Sequence, residues 1–228
     1  MPLSTISLGR PLTSYARVQS WITQLIRNRE FQIKRQTVTG KKYLDVGCGS
    51  NTHDDFINLD FVWQPGVDVC WDISKGLPFS DGTIQAIYSE HCLEHFSLPQ
   101  ARFLLREFCR VLKPNGAIRI VVPDAEIYLR TYVKHLNGEK ESFPYGEMEA
   151  FEGLWTPMLS VNRVFYHDRE SPSGHCTMYD FALLRAMLLQ QGFRWVEKCE
   201  FGSGRDSALL IDSPERRAES LYVEAGVS

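Results

Sequence analysis

The sequence predicts an α/β fold built on an open, mostly parallel sheet. Three observations predict it. Short β-rich runs alternate with helical patterns from Lys41 onward, residues 85–122 spell strand, helix, strand, and the first run ends in the glycine loop "YLDVGCGSN", Tyr43–Asn51. At 228 residues the chain suits one large domain, or one domain with an extension. With 43% hydrophobic and 23% charged residues it has the composition of a globular protein rather than a disordered one.

Residues 12–36 carry Val18, Ile22, Leu25 and Ile26 at helical spacing, predicting an N-terminal helical extension over 1–40. The main domain, 41–228, opens with the runs "YLDV", "FINLDF", "VDVCW" and "QAIYSE", which read as buried strands. Ala101, Leu104, Leu105, Phe108, Val111 and Leu112 then share a helical face, with Ser97 and Gln100 spaced as a capping box. "KPNG", Lys113–Gly116, is expected to stop that helix and turn the chain into the strand "AIRIVV". Asp124 can cap a further helix that Gly138 ends. Residues 139–176 are long for a connection and predict a lid-like insertion. Thr177 and Asp180 open a helix closed by Gly192, and "FRWVEKCEF" and "ESLYVEA" finish the chain as strands.

Charge is unevenly distributed. Residues 1–42 hold eight Lys or Arg against the single acid Glu30, which leaves 17 basic and 27 acidic residues for the rest. An acidic main body argues against nucleic acid as a partner. Six scattered cysteines without a C-x-x-C pair predict a reduced, cytoplasmic protein, and no apolar run approaches the roughly 18 residues of a spanning helix, so stable membrane insertion is not expected.

In open α/β sheets ligands bind beyond the carboxyl ends of the strands. A dinucleotide site there would use G-x-G-x-x-G with a pyrophosphate on a helix N-terminus. This loop lacks the third glycine and is followed by His53, Asp54 and Asp55, whose acids would repel a pyrophosphate. A cationic sulfonium nucleoside reverses that preference, and S-adenosyl-L-methionine is such a ligand. Asp60, 15 positions after Asp45 at a strand end, can accept both ribose hydroxyls; Asp72, after the next strand, can meet the adenine amino group, with Phe61 and Ile73 as apolar walls. Each acid can equally serve as a loop or cap residue.

On these residues the chain resembles class I S-adenosylmethionine-dependent methyltransferases of the small-molecule branch. "LDVGCGS" is similar to their cofactor loop, "GLPFSDGTIQAIYSEHCLEHF" to the segment around strand four, and "LLREFCRVLKPNGAIRIVVPD" to the next helix and strand. "GHCTMYDFALLRAMLLQQGF" and "ERRAESLYVEA" are similar to proteins that accompany bacterial surface-glycan genes. The resemblance implies a Rossmann-like seven-stranded sheet with helices on both faces, the last strand antiparallel and inserted beside strand five. It implies a cofactor set of Asp45, Gly47, Cys48, Gly49, Asn51, Asp60, Phe61, Asp72, Ile73, Glu90 and His91. One departure stands out: Ser50–Phe56 is too short for the family's usual helix.

"HCLEH", His91–His95, also matches the zinc-peptidase pattern H-x-x-E-H, with His91 and His95 as ligands and Glu94 activating water. That reading needs a helix across all five residues. In the methyltransferase reading a base is needed only if the acceptor loses a proton. For a hydroxyl acceptor His95 and His175 are the catalytic candidates, with His167 beside them, against the competing role of hydrogen bonding within the fold. The aromatics between Phe143 and Tyr166 suit either a small-molecule or saccharide acceptor pocket or a satellite core. Arg163 and Arg169 suit an anionic acceptor or solvent. The reading is therefore methyl transfer to such an acceptor at oxygen, with a zinc hydrolase or a non-catalytic cofactor-binding partner as alternatives.

Overall fold

The computed structural model describes residues 14–144, 155–166 and 174–228. Strands β1 (Tyr43–Val46), β2 (Phe56–Asp60), β3 (Val69–Cys70), β4 (Ile84–Glu90), β5 (Leu112–Pro123), β6 (Trp195–Cys199) and β7 (Ser220–Gly226) form one sheet in the order β3-β2-β1-β4-β5-β7-β6. The first five strands pair in parallel, and β7 runs antiparallel between β5 and β6.

The helices are α1 (Ser14–Ile26), α2 (Gln36–Thr39), α3 (Leu98–Val111), α4 (Ala125–Leu136), α5 (Pro157–Tyr166) and α6 (Phe181–Gln190). The capping box of α3 forms, with the Ser97 N–H donating to Gln100 Oε1 at 3.0 Å. Asp124 and Asp180 cap α4 and α6 by accepting the N–H groups of Glu126 and Leu183. Thr177 does not cap α6; its hydroxyl donates to the Phe96 carbonyl.

Alternate residues of the strands face two sides. Ile87, Ile118, Ile120 and Val223 pack in the main core with Leu104, Leu105 and Phe108 of α3 and Leu184 and Leu188 of α6. On the other side Tyr88, Val121 and Tyr222 meet Leu209 from a 3₁₀ turn, Ser207–Leu209, in the β6 to β7 connector.

Two local features differ from expectation. The segment Lys113–Gly116 lies inside β5 as an irregularity, because Ile84 pairs with Leu112 while Ala86 pairs with Ala117. Asn115 absorbs the bend in the left-handed region at φ 65°. Within 139–176, residues 157–166 form α5, whose Val161, Val164 and Phe165 bury with Ala125, Tyr128 and Phe143 as a separate small core. The satellite core is thus the role of Phe143 and Phe165, while Tyr145, Phe151, His167 and Arg169 lie outside the described residues.

The N-terminal segment docks on the outer strand. Gln32 Oε1 accepts the Cys70 N–H at 2.9 Å, so the open edge of β3 is partnered by an amide side chain. Asn28, at φ 60°, donates its N–H to the Cys70 carbonyl and accepts the Asp72 N–H at 2.8 Å.

Candidate active site

The glycine loop follows β1 directly, and the Leu59 carbonyl of β2 accepts the N–H groups of Gly47 and Cys48, which holds the turn open at the sheet's carboxyl edge. Gly47 has φ 76°, and a Cβ there would stand 2.7 Å from Cys92 Sγ, so a side chain is excluded both by conformation and by space. Gly49 differs. At φ 54° a Cβ would meet nothing within 4 Å, so its backbone faces open space.

Asp60 joins this loop. Its Oδ2 accepts the Gly49 N–H at 2.9 Å and its Oδ1 accepts the Val62 N–H at 2.8 Å, so the carboxylate is held rigidly at the loop's rim. Each oxygen keeps a second lone pair for another donor. Asp45 is buried; loss of water raises its carboxyl well above the ordinary range, and the charges of Glu90 and Asp60 raise it further. Three acidic side chains from the ends of β1, β2 and β4 therefore converge on one place, and the mutual repulsion that helps hold Asp45 protonated would act equally against a diphosphate.

Other candidates also make contacts within the fold. Asp72 Oδ1 accepts the Ser74 N–H and hydroxyl, the second at 2.6 Å, so its carboxylate caps the 3₁₀ turn Ile73–Lys75. Ile73 is buried in the main core, whereas Phe61 is exposed and carries the Arg27 guanidinium 3.5 Å from its ring centroid. Glu90 accepts the Ser213 N–H at 3.1 Å and its hydroxyl, and Asn51 Nδ2 donates to Ser213 Oγ at 3.2 Å. Ser213 thereby ties the glycine loop and β4 to the β6 to β7 connector. Cys48, within the loop, is buried, and burial pushes its thiol far up.

The histidines gather next to this loop. His91, at φ 47°, turns the chain out of β4, and only Leu93–His95 forms a short 3₁₀ turn. No helix spans His91–His95, so the two histidines do not share a helical face and the peptidase pattern lacks its context. His91 Nε2 lies 2.9 Å from Ser220 Oγ, and its Nδ1 lies 3.4 Å from Glu94 Oε1. Burial holds His91 down at about 3 and pushes Glu94 up to about 8.

His95 and His175 are brought together, with ring centroids 4.9 Å apart and edge to face. The clamp is backbone: the Glu94 carbonyl accepts the N–H groups of Cys176 at 2.7 Å and Thr177 at 3.1 Å. A groove of about 460 Å³ lies along the same clamp, lined by Ser97, Leu98, Phe165, Cys176, Thr177 and Met178 among others.

A family model described as a methyltransferase domain matches residues 17–198. The chain belongs to this methyltransferase family. No curated protein matches its sequence. Among solved structures, a methyltransferase from Thermotoga maritima described as a possible histamine N-methyltransferase is 12% identical over 82% of each chain, with a TM-score of 0.48. A methyltransferase from Archaeoglobus fulgidus is 15% identical over 94% of this chain and 100% of its own, with a TM-score of 0.47. A third, from Methanosarcina mazei, is 15% identical over 81% and 91% respectively, at 0.46.

Membership of the methyltransferase family implies use of S-adenosyl-L-methionine. The residues of this methyltransferase fit such a group: bare backbone at Gly49, a fixed carboxylate at Asp60, and a second acid, Glu90, at the neighbouring strand end. Ser213, Asn28 and Ser220 had no sequence signal, because each acts on a partner distant along the chain. Ser213, for instance, meets Glu90 across 123 positions.

Proposed function

We propose that this methyltransferase uses S-adenosyl-L-methionine to methylate a hydroxyl of a small molecule or saccharide. The observation that carries the reading is Asp60, fixed by the N–H groups of Gly49 and Val62 beside a backbone position open to a ligand. Asp60 would accept the ribose hydroxyls, the Gly47–Gly49 backbone would border the methionine end, and Glu90 would face the sulfonium charge, with the protonated Asp45 carboxyl buried behind the loop. The cofactor supplies an already activated methyl group, so the protein's part is alignment and exclusion of water.

On the acceptor side stand His95 and His175, with the groove along Ser97, Phe165 and Thr177 next to them. An imidazole is the side chain able to take a hydroxyl proton near neutral pH. The six cysteines are free, which supports work in a reducing compartment such as the cytoplasm. Among the described residues no helix is long and apolar enough to cross a membrane.

The test has two parts. Calorimetric titration with S-adenosylhomocysteine should show binding that Asp60→Ala weakens severely; equal affinity in the variant sinks the ribose assignment. Transfer of labelled methyl groups to a panel of sugars and small alcohols should then reveal the acceptor, and absence of turnover on any hydroxyl counts against the oxygen assignment.

A further inference from the structure

Glu94 is fully buried, yet neither of its carboxylate oxygens has a hydrogen-bond partner among the described residues. A buried polar group left unsatisfied costs about 1–3 kcal/mol, more when charged, so such a group calls for an explanation. Three imidazoles stand around it: His91 Nδ1 lies 3.4 Å from Glu94 Oε1, and His95 and His175 lie close by as well. His175 Nε2 lies 3.9 Å from Glu94 Oε1, and the nearest ligand atoms of Glu94, His95 and His175 all lie within 4.8 Å of one another.

The outer nitrogens of the His95 and His175 rings are turned to backbone carbonyls. His175 Nδ1 meets the Val164 carbonyl, and His95 Nδ1 meets the Gly174 carbonyl at 3.4 Å. A carbonyl can only accept, so each Nδ1 carries a proton, and in the neutral ring Nε2 is then the nitrogen with the lone pair. This is the outer hydrogen bonding that orients metal-ligating histidines.

We propose that Glu94, His95 and His175 bind a divalent first-row transition-metal ion. Two imidazoles and one carboxylate suit zinc, manganese or iron better than magnesium, which prefers oxygen ligands throughout. Ligand bonds of about 2.1 Å in a tetrahedron place neighbouring donor atoms about 3.4 Å apart, so the three groups need to draw in by an ångström or so. Three protein ligands leave a fourth position open. Resting on the methyl-transfer reading, that position would hold the acceptor's oxygen by a lone pair. The site differs from the peptidase pattern because His175, 80 positions beyond His95, supplies the second imidazole, while His91 has its Nε2 on Ser220 and its Nδ1 3.4 Å from Glu94 Oε1.

The test uses the full chain, stripped with a chelator and titrated with Co²⁺ and, separately, Zn²⁺. One equivalent of Co²⁺ should give visible ligand-field bands, and His95→Ala and His175→Ala should each weaken binding at least about tenfold. His135→Ala, in a histidine away from the cluster, should leave binding unchanged. Glu94→Gln keeps the shape of the side chain and should weaken it too, so the outcome does not hang on one variant; circular dichroism checks that each is folded. No bands in the wild type, or bands unchanged in all three cluster variants, overturn the site. Loss of methyl transfer in His175→Ala without any metal binding overturns it as well and makes the histidine a base. S-adenosylhomocysteine titrated in parallel separates the readings: binding of it without metal removes the metal site alone, and metal binding without it removes the cofactor reading alone.

Discussion

Arg119 and Glu94 are both ionisable side chains sealed from water, and their surroundings are finished in opposite ways. Arg119, on β5, donates Nε and Nη2 to the two oxygens of Asp212 at 2.7 and 2.6 Å, Nη1 to Glu224 at 3.0 Å, and further bonds to the carbonyls of Ser203 and Glu200. The acids are completed in turn by the N–H groups of Gly202 and Arg205. That network locks the β6 to β7 connector onto the sheet. Glu94 has the same degree of burial and none of this closure. A buried charge with every partner present is structural; a buried carboxyl without them marks a place where stability is given up for a ligand.

The comparison predicts different costs for damage. The largest effect is expected for Arg119→Ala, which leaves Asp212 and Glu224 buried without their cation and should cost about 3–5 kcal/mol in urea denaturation. Glu94→Gln should stay within about 1 kcal/mol of the wild type in the same experiment while methyl transfer is lost. Equal destabilisation by the two variants would erase the distinction between the clusters.

Asp60→Ala comes next. Removal of a carboxylate that accepts ribose hydroxyls should cost about 1.5–3 kcal/mol of S-adenosylhomocysteine affinity, roughly 10- to 150-fold, read by calorimetry. Gly47→Ala should cost about 1–3 kcal/mol of stability, since its Cβ would overlap Cys92, whereas Gly49→Ala should lower cofactor affinity more than stability because space is open above it. If the two glycine variants behaved alike, the loop would be no more than a turn.

The smallest effect concerns Asp45. Its carboxyl is raised in the folded protein, chiefly by burial, so the folded state keeps a proton that the unfolded state has released. Stability from this group is therefore fully present below the ordinary carboxylate range and is lost as pH rises from that range up through the raised folded value. Melting temperatures across that range should decline in the wild type relative to Asp45→Asn, and parallel curves would show that Asp45 is not held in the way described.

Much of the fold was legible in sequence because its signals are local. The period of α3, its Ser97 and Gln100 box, the acids capping α4 and α6, and the glycine loop each depend on residues a few positions apart. The irregularity in β5 was not legible, because "KPNG" reads as a turn and only pairing with β4 shows that the strand continues through it. Asp72 and Glu90 read as ligand contacts from their strand ends. In the fold Asp72 also meets Ser74 and Glu90 also meets Ser213, and the latter bond depends on where a remote connector lies.

By itself the sequence determined the α/β alternation, the open glycine loop and the acids at the strand ends, because hydrophobic period, glycine's tolerance of positive φ and charge are properties of short stretches. Only the tertiary structure decided that Gln32 would partner the edge of β3, that Ser213 would bind Glu90, and that His175 would reach Glu94 and His95. Those contacts form only when segments far apart along the chain lose their freedom together, and no short-range pattern encodes where they will meet.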